Sequence, residues 1–183
     1  MKKVVIFFVR IIAPLFFKKR YLKGKYFHRD KDNIGWIWVA KGIWRQKILG
    51  FNRSVPWPIC HTSMISNWEN IIFNLEDVNN FQSPGCYFQN FSAKIILGQG
   101  TYIAPNVGLI TANHDLNNLE EHSSGNDITI GKKCWIGMNS VILPGVKLGD
   151  NVIVGAGSVV TKSFEENNIT IAGVPAKIIK KNQ

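Results

Sequence analysis

The chain has little from which to build a disulfide framework or a metal cluster. Its 183 residues hold three cysteines, Cys60, Cys86 and Cys134, and four histidines. Three cysteines cannot all pair, and they show no metal-ligand spacing. The plain expectation is free, mostly buried thiols in a reducing compartment. Charged residues are sparse, 19% against 45% hydrophobic, which excludes a disordered chain. A bilayer-spanning run is missing too. The apolar stretch 1–17 is interrupted by Arg10 and Pro14 and is too short to cross. It imitates a targeting segment, with Lys2 and Lys3 ahead of apolar residues, but no small-residue cleavage site follows. Acidic residues are almost missing from residues 1–53, which carry 14 Lys/Arg and 2 Asp, a net of +12. Residues 54–183 carry 8 Lys/Arg and 10 Asp/Glu, a net of −2. The total of +10 therefore belongs to the first third. No nucleic-acid-binding motif accompanies it, so nucleic acid is not an expected partner.

What the chain does have is a period of six. Ile130, Ile136, Ile142, Leu148, Val154 and Val160 are all aliphatic, and four of the six residues that follow them are glycine. Six fits neither a helix nor a lone strand, so it marks a repeat architecture. In a hexapeptide coil each unit supplies one flat side of a triangular tube, with the aliphatic residue inward. Leu97, Ile103 and Leu109 extend the series upstream. From Leu109 to Ile130 is 21 residues, three more than three units, so part of that stretch has left the coil. The extruded loop is expected at about 115–127, and it follows Asn113-His114-Asp115.

The remainder divides around this repeat. Residues 1–58 read as a basic, aromatic-rich extension, partly helical and partly irregular, and residues 59–183 as the coil. Within the extension, the apolar run 1–17 and the basic run from Lys18 to Arg29 fit an interfacial anchor on anionic lipid, or a helix packed on the coil. Residues 34–58, with Trp36, Trp38, Trp44 and Trp57, are expected as irregular sheet or short strands capping the open end of the tube. The first coil is expected from Ile59, with irregular early coils and with Gln89 and Asn90 on a short strand or corner as candidate acceptor contacts. After Val160 the phase breaks, ITIAGVPA reads as a last extended piece, and KIIKKNQ as a basic tail or short helix.

Three segments carry a resemblance: IAPNVGLITANHD, then ITIGKKCWIGMNSVILPGVKLGDNVIVGAGSVVTK, then IAGVPAKIIK. Their ordered motifs resemble the left-handed parallel β-helix acyltransferases, which include galactoside, maltose, serine and polysaccharide O-acetyltransferases. The resemblance covers about 90–180. It implies a mainly β fold, acetyl-CoA as acyl donor, no required metal, and a homotrimer with sites between subunits. The implied acceptor is a sugar hydroxyl, in a surface polysaccharide or glycolipid precursor, in the cytoplasm or at the inner face of the membrane. Residues 1–58 do not match the shorter sugar acetyltransferases, so the acceptor does not carry over.

By that resemblance His114 is the catalytic histidine. A hydroxyl is a poor nucleophile and must lose its proton as it attacks a thioester, and an imidazole can take that proton and deliver it to the thiolate. Asp115 is a candidate to orient the ring, with a backbone carbonyl as the competing partner, and Asn113 either bonds the acceptor or closes the turn. The N–H near Met138 is the candidate oxyanion donor, and Gly137 would let the thioester approach closely. Trp135 faces outward by register, since Cys134 takes the inward position. Positions matching Ala156, Thr161 and Lys162, and Gly173, Pro175, Lys177 and Lys180, contact the coenzyme in relatives, where lysines suit its phosphates. Other readings keep the fold. One changes the acceptor to an amine or the donor to succinyl-CoA. One is a non-enzymatic trimeric scaffold. A zinc hydratase would need three converging histidines, and only His114 sits in the coil.

Overall fold

A computed structural model describes residues 2–28 and 33–182. Helix α1 (Lys2–Phe16) and helix α2 (Ile34–Gly42) precede fourteen strands. In chain order these are β1 (Met64–Ile65), β2 (Ile71–Ile72), β3 (Tyr87–Gln89), β4 (Ile95–Leu97), β5 (Tyr102–Ile103), β6 (Gly108–Ile110), β7 (Ile128–Ile130), β8 (Trp135–Ile136), β9 (Val141–Ile142), β10 (Lys147–Leu148), β11 (Ile153–Val154), β12 (Val159–Val160), β13 (Ile169–Gly173) and β14 (Ala176–Lys181).

Three sheets result. A first face stacks β1, β3, β6, β9 and β12, a second stacks β2, β4, β7 and β10, and a third stacks β5, β8, β11, β13 and β14. From β3 to β12 the chain visits the first, second and third faces in turn, and every ladder except β13–β14 is parallel. Trp135 pairs with Ile153 and Val141 with Val159, each 18 residues on, so one coil is three hexads. The inward positions Leu97, Ile103, Leu109, Ile130, Ile136, Ile142, Leu148, Val154 and Val160 are all buried. Each such side chain contributes about 1.5–3 kcal/mol of transfer free energy, which holds the tube closed. Corners need backbone with positive φ. Asn106, Asn139 and Gly157 supply it in register at the corner between third and first faces, where Asn and Gly tolerate it best.

The cap is helical, which corrects the expected strands over 34–58. Gly35, Val39, Gly42 and Gln46 form the buried stripe, at helical spacing. The two glycines set the approach: a Cβ at Gly35 would lie 2.8 Å from the Tyr26 carbonyl oxygen, and one at Gly42 3.0 Å from the Phe17 ring. The tryptophans thus sit on a helix whose inner face is nearly smooth. Trp57, fully buried, plugs the tube against Tyr21, Phe73 and Phe81. Gln46 Nε2 donates to the carbonyls of Val55 and Trp57 at 2.8 and 3.1 Å, tying helix to plug.

Two further expectations change. The basic tail is strand β14, antiparallel to β13, not a helix. The early irregularity is a single enlarged coil, in which the helical segment Leu75–Gln82 stands where the third face would have a strand. Cys86 and Cys134 are buried and Cys60 half-buried, all as free thiols. Arg29, the end of the basic run, lies outside the described residues, as do the side chains of Lys2 and Lys3.

Candidate active site

The loop leaves the tube after β6 and returns at β7, at the corner between first and second faces. Ile95 pairs with Ile128, 33 residues on rather than 18, so the excursion adds 15 residues. The count of three extra residues was a matter of face: Leu109 and Ile130 occupy successive faces, normally six apart. The loop is a narrow hairpin. Asn126 N donates to Thr111 O at 2.8 Å, Ser123 N to Asn113 O at 2.9 Å, and Asp115 N to Glu121 O at 3.0 Å. His114 and His122 face each other across it.

His114 is exposed and its ring is fixed on one side. Nδ1 lies 2.7 Å from the carbonyl oxygen of Leu119. A carbonyl can only accept, so Nδ1 carries the proton and the neutral ring keeps its lone pair on Nε2. The orienting group is therefore a backbone carbonyl. Asp115 does a different job: its Oδ1 accepts from Asn117 N at 2.7 Å and Asn118 N at 3.2 Å, closing the turn. Asn113 closes the hairpin through its carbonyl, which also accepts from Ser123 Oγ at 3.1 Å.

Gln89 and Asn90 do not reach this surface, which corrects their expected place as acceptor contacts. Both are buried. Gln89 Oε1 accepts from Thr111 N and Ala112 N at 2.9 and 3.0 Å, and its Nε2 donates to Ala112 O at 2.9 Å. Asn90 exchanges two hydrogen bonds with the Asn67 backbone. Their amides are spent on the backbone, and Gln89 sets the direction in which the loop departs.

His122, on the returning arm of the loop, is brought to the site although no motif singles it out. Its ring centroid lies 4.4 Å from that of His114, tilted by 33°, and it meets Phe91 edge-on at 4.6 Å. Two histidines eight residues apart around a polar turn face each other if the arms pair, and that was the available signal. Beside them is a cleft of about 410 Å³ lined by Asn113, His114, Asp115, Leu116, Asn117 and Ser123, within the range of small-molecule sites. Leu116 at the loop tip is 95% exposed.

The other candidates lie elsewhere on the tube. Trp135 is 56% exposed on the third face, beside Tyr102 in the ladder. Burial pushes the Cys134 thiol behind it upward, keeping it an uncharged core group. Gly137 follows at the third–first corner, and its N–H is committed to Val154 O at 2.8 Å. A Cβ there would lie 2.6 Å from both Val154 O and Ala156 N. Coil stacking alone therefore demands glycine, whatever else approaches. Met138 has a half-exposed side chain, and its carbonyl accepts from Gly157 N at 2.8 Å. Ala156 is exposed at the same corner one coil on. Gly173 and Pro175 form the turn between β13 and β14, and Gly173 N donates to Ser158 Oγ at 3.2 Å. Lys177 and Lys180 are exposed on β14. Thr161 and Lys162, also exposed, belong to the first–second corner, on the His114 side.

The candidate residues of one chain thus fall into two groups. His114, Thr161 and Lys162 follow one corner, while Trp135, Gly137, Met138, Ala156, Gly173 and Pro175 follow the third face and its far corner. The first face separates them, one hexad at about 3.3 Å per residue, or about 20 Å.

Comparison with known proteins agrees with this architecture. The family model described as bacterial transferase hexapeptide (six repeats) matches residues 127–162. The galactoside O-acetyltransferase of Escherichia coli K12 is 39% identical over 168 residues, covering 78% of this chain and 82% of that protein. A maltose O-acetyltransferase structure from Clostridium difficile 630 is 39% identical with a TM-score of 0.50, covering 54% of this chain and 53% of that one. A hexapeptide-repeat acetyltransferase from Vibrio cholerae O1 biovar eltor, complexed with acetyl coenzyme A, is 29% identical with a TM-score of 0.50, covering 54% and 55%. Against several other curated relatives, from yeasts and Dictyostelium discoideum among others, the chain spans about half their length, 46% to 54%. Six-residue periodicity, three parallel faces and a relative similar over most of both chains lead to one assignment: the chain belongs to the hexapeptide-repeat acyltransferase family.

Proposed function

We propose that this protein transfers an acetyl group from acetyl-CoA to a hydroxyl of a sugar, in a surface polysaccharide or glycolipid precursor, with His114 as general base. The observation that carries the reading is the bond from His114 Nδ1 to the Leu119 carbonyl, because it fixes the tautomer that a base needs. Nε2 of His114 takes the hydroxyl proton as the hydroxyl oxygen bonds to the thioester carbonyl carbon. The N–H of Met138 holds the developing oxyanion, since that of Gly137 is already committed. The C–S bond then breaks, and His114 returns the proton to the departing sulfur. His122 backs the His114 ring and limits its rotation.

Two half-sites about 20 Å apart cannot act on one acetyl group. The reading therefore includes a homotrimer, in which the third-face corner of one copy meets the His114 loop of the next. The exposed Leu116, Leu119 and Trp135 are the surfaces such a neighbour would cover. Trp135, Ala156, Gly173 and Pro175 would line the pantetheine path, and Thr161, Lys162, Lys177 and Lys180 would meet the coenzyme's phosphates and adenine end. The coil is taken as left-handed, as in the family, with residues 1–58 as an N-terminal unit, and the enzyme as cytoplasmic at the inner face of the membrane. Acetyl-CoA turnover against a panel of glycans, with mass spectrometry of the products, tests the reading. An acetyl ester on a sugar is expected; an amide or a succinyl ester would replace the acceptor or the donor.

A further inference from the structure

Helix α1 is apolar nearly all round, yet the fold covers only one stripe of it. Val9 and Ala13 are buried, as is Phe17 just past the helix end, with Ile6 partly so. The rest of the circumference, Val4, Val5, Phe7, Phe8, Ile11, Ile12, Leu15 and Phe16, is exposed. The one charged residue between positions 4 and 17 turns inward: Arg10 donates to Asn33 Oδ1 at 2.7 Å and lies 5.2 Å from the Trp36 ring centroid. The outward face of α1 from Val4 to Phe16 therefore presents no charge. Beside it, Val5, Ile6, Val9, Trp36, Ile37 and Ala40, together with the stem of Lys41, line a groove between α1 and α2 that is otherwise apolar. A helix hydrophobic on every side belongs in a core or in lipid.

Charge identifies the occupant. The chain leaves α1 into Lys18, Lys19, Arg20 and Lys23, all exposed, and residues 2–28 contain no Asp or Glu. A second copy packed symmetrically on this face would bring those cations against themselves. An anionic surface complements them. The helix cannot cross a bilayer: 15 residues at about 1.5 Å span about 22 Å, against about 30 Å of hydrocarbon. No helix among the described residues is long and apolar enough to do so. We infer that α1 and the groove beside it are a docking surface for an anionic lipid bilayer, with α1 lying in the plane of the interface and Lys18–Lys23 among the headgroups. Phe17, Tyr21 and Phe27 root this segment in the core, so docking holds the tube at a set orientation to the membrane. The consequence for substrate, a glycan carried on lipid, rests on the acetyl-transfer reading; the docking itself does not.

Vesicle flotation of the full chain, without acetyl-CoA, tests the docking. The probes are phosphatidylcholine vesicles with and without phosphatidylglycerol. The full chain floats with the phosphatidylglycerol vesicles and much less with neutral ones. Phe8→Glu/Ile12→Glu, both at exposed positions, abolishes flotation. Lys18→Gln/Lys19→Gln/Arg20→Gln weakens it on the order of a hundredfold, each cation contributing about a factor of five. Both variants keep acetyl transfer to a water-soluble glycan, so loss of docking is read separately from loss of chemistry. Failure of the full chain to float, equal flotation of Phe8→Glu/Ile12→Glu, or a change of oligomer mass in that variant by light scattering would each overturn the proposal. The last would make the face a protein interface.

Discussion

Replacing Gly137 with alanine puts a methyl group where two coils already touch. The added Cβ would lie 2.6 Å from Val154 O and Ala156 N, where ordinary contact begins at 3.4 Å. Both obstacles are backbone, so no rotamer relieves them. Moving the next coil away by the missing 0.8 Å stretches the Gly137 N to Val154 O bond from 2.8 Å to about 3.6 Å, beyond a hydrogen bond. The neighbouring bond from Trp135 N to Val152 O, 2.9 Å, weakens with it. Two ladder bonds at about 1 kcal/mol each and about 1–3 kcal/mol of overpacking give a loss of about 3–5 kcal/mol. Gly157 is the control. It sits at the same corner with φ of +69° and nothing within 4 Å of an added Cβ, so Gly157→Ala costs only the strain of an L residue there, about 1 kcal/mol. Urea unfolding of both variants, at one protein concentration because any self-association would add to apparent stability, should place Gly137→Ala clearly below Gly157→Ala. Equal midpoints would refute the stacking argument and return Gly137 to a purely catalytic role.

Other substitutions separate support from chemistry. Asp115→Asn keeps an oxygen for the Asn117 and Asn118 N–H groups and should leave kcat within a few-fold of the parent, while Asp115→Ala loosens the loop and lowers kcat about tenfold. If both variants fall equally, by a hundredfold or more, the carboxylate charge orients His114 after all. His122→Phe preserves ring packing between Phe91 and His114 and should retain most activity, and His122→Ala should lower kcat about tenfold with little change in KM. A His122→Phe variant as poor as His122→Ala would assign His122 a proton-handling or acceptor-binding role.

The regular coil was legible because its signal is repetitive. Every aliphatic residue in the six-residue series from Leu97 to Val160 is buried, and the outward place of Trp135 follows from the same register. The helical cap is hidden in the sequence for a physical reason. Trp36, Trp38 and Ile37 favour strands by propensity, but Gly35 and Gly42 put the close contacts on one helical face, and tertiary packing decided. The C-terminal KIIKK lacks alternation, so its pairing with β13 is set by the turn at Gly173–Pro175 and not by its own pattern. At the candidate site, His114 stood out because the repeat breaks beside it. Its partner did not, because Leu119 O is a backbone atom that no side-chain motif announces. Gln89 and Asn90 look like ligand-binding amides in sequence, and only burial reveals that backbone already uses them.

The base assignment is tested most directly by acetyl transfer from acetyl-CoA to an accepted glycan by His114→Ala. His114 is exposed and its described side-chain hydrogen bond reaches only the Leu119 carbonyl, so its removal leaves the tube intact. Loss of general-base catalysis lowers kcat by about a hundredfold to ten-thousandfold, with acetyl-CoA binding unchanged. Turnover within a few-fold of the parent enzyme would contradict the account.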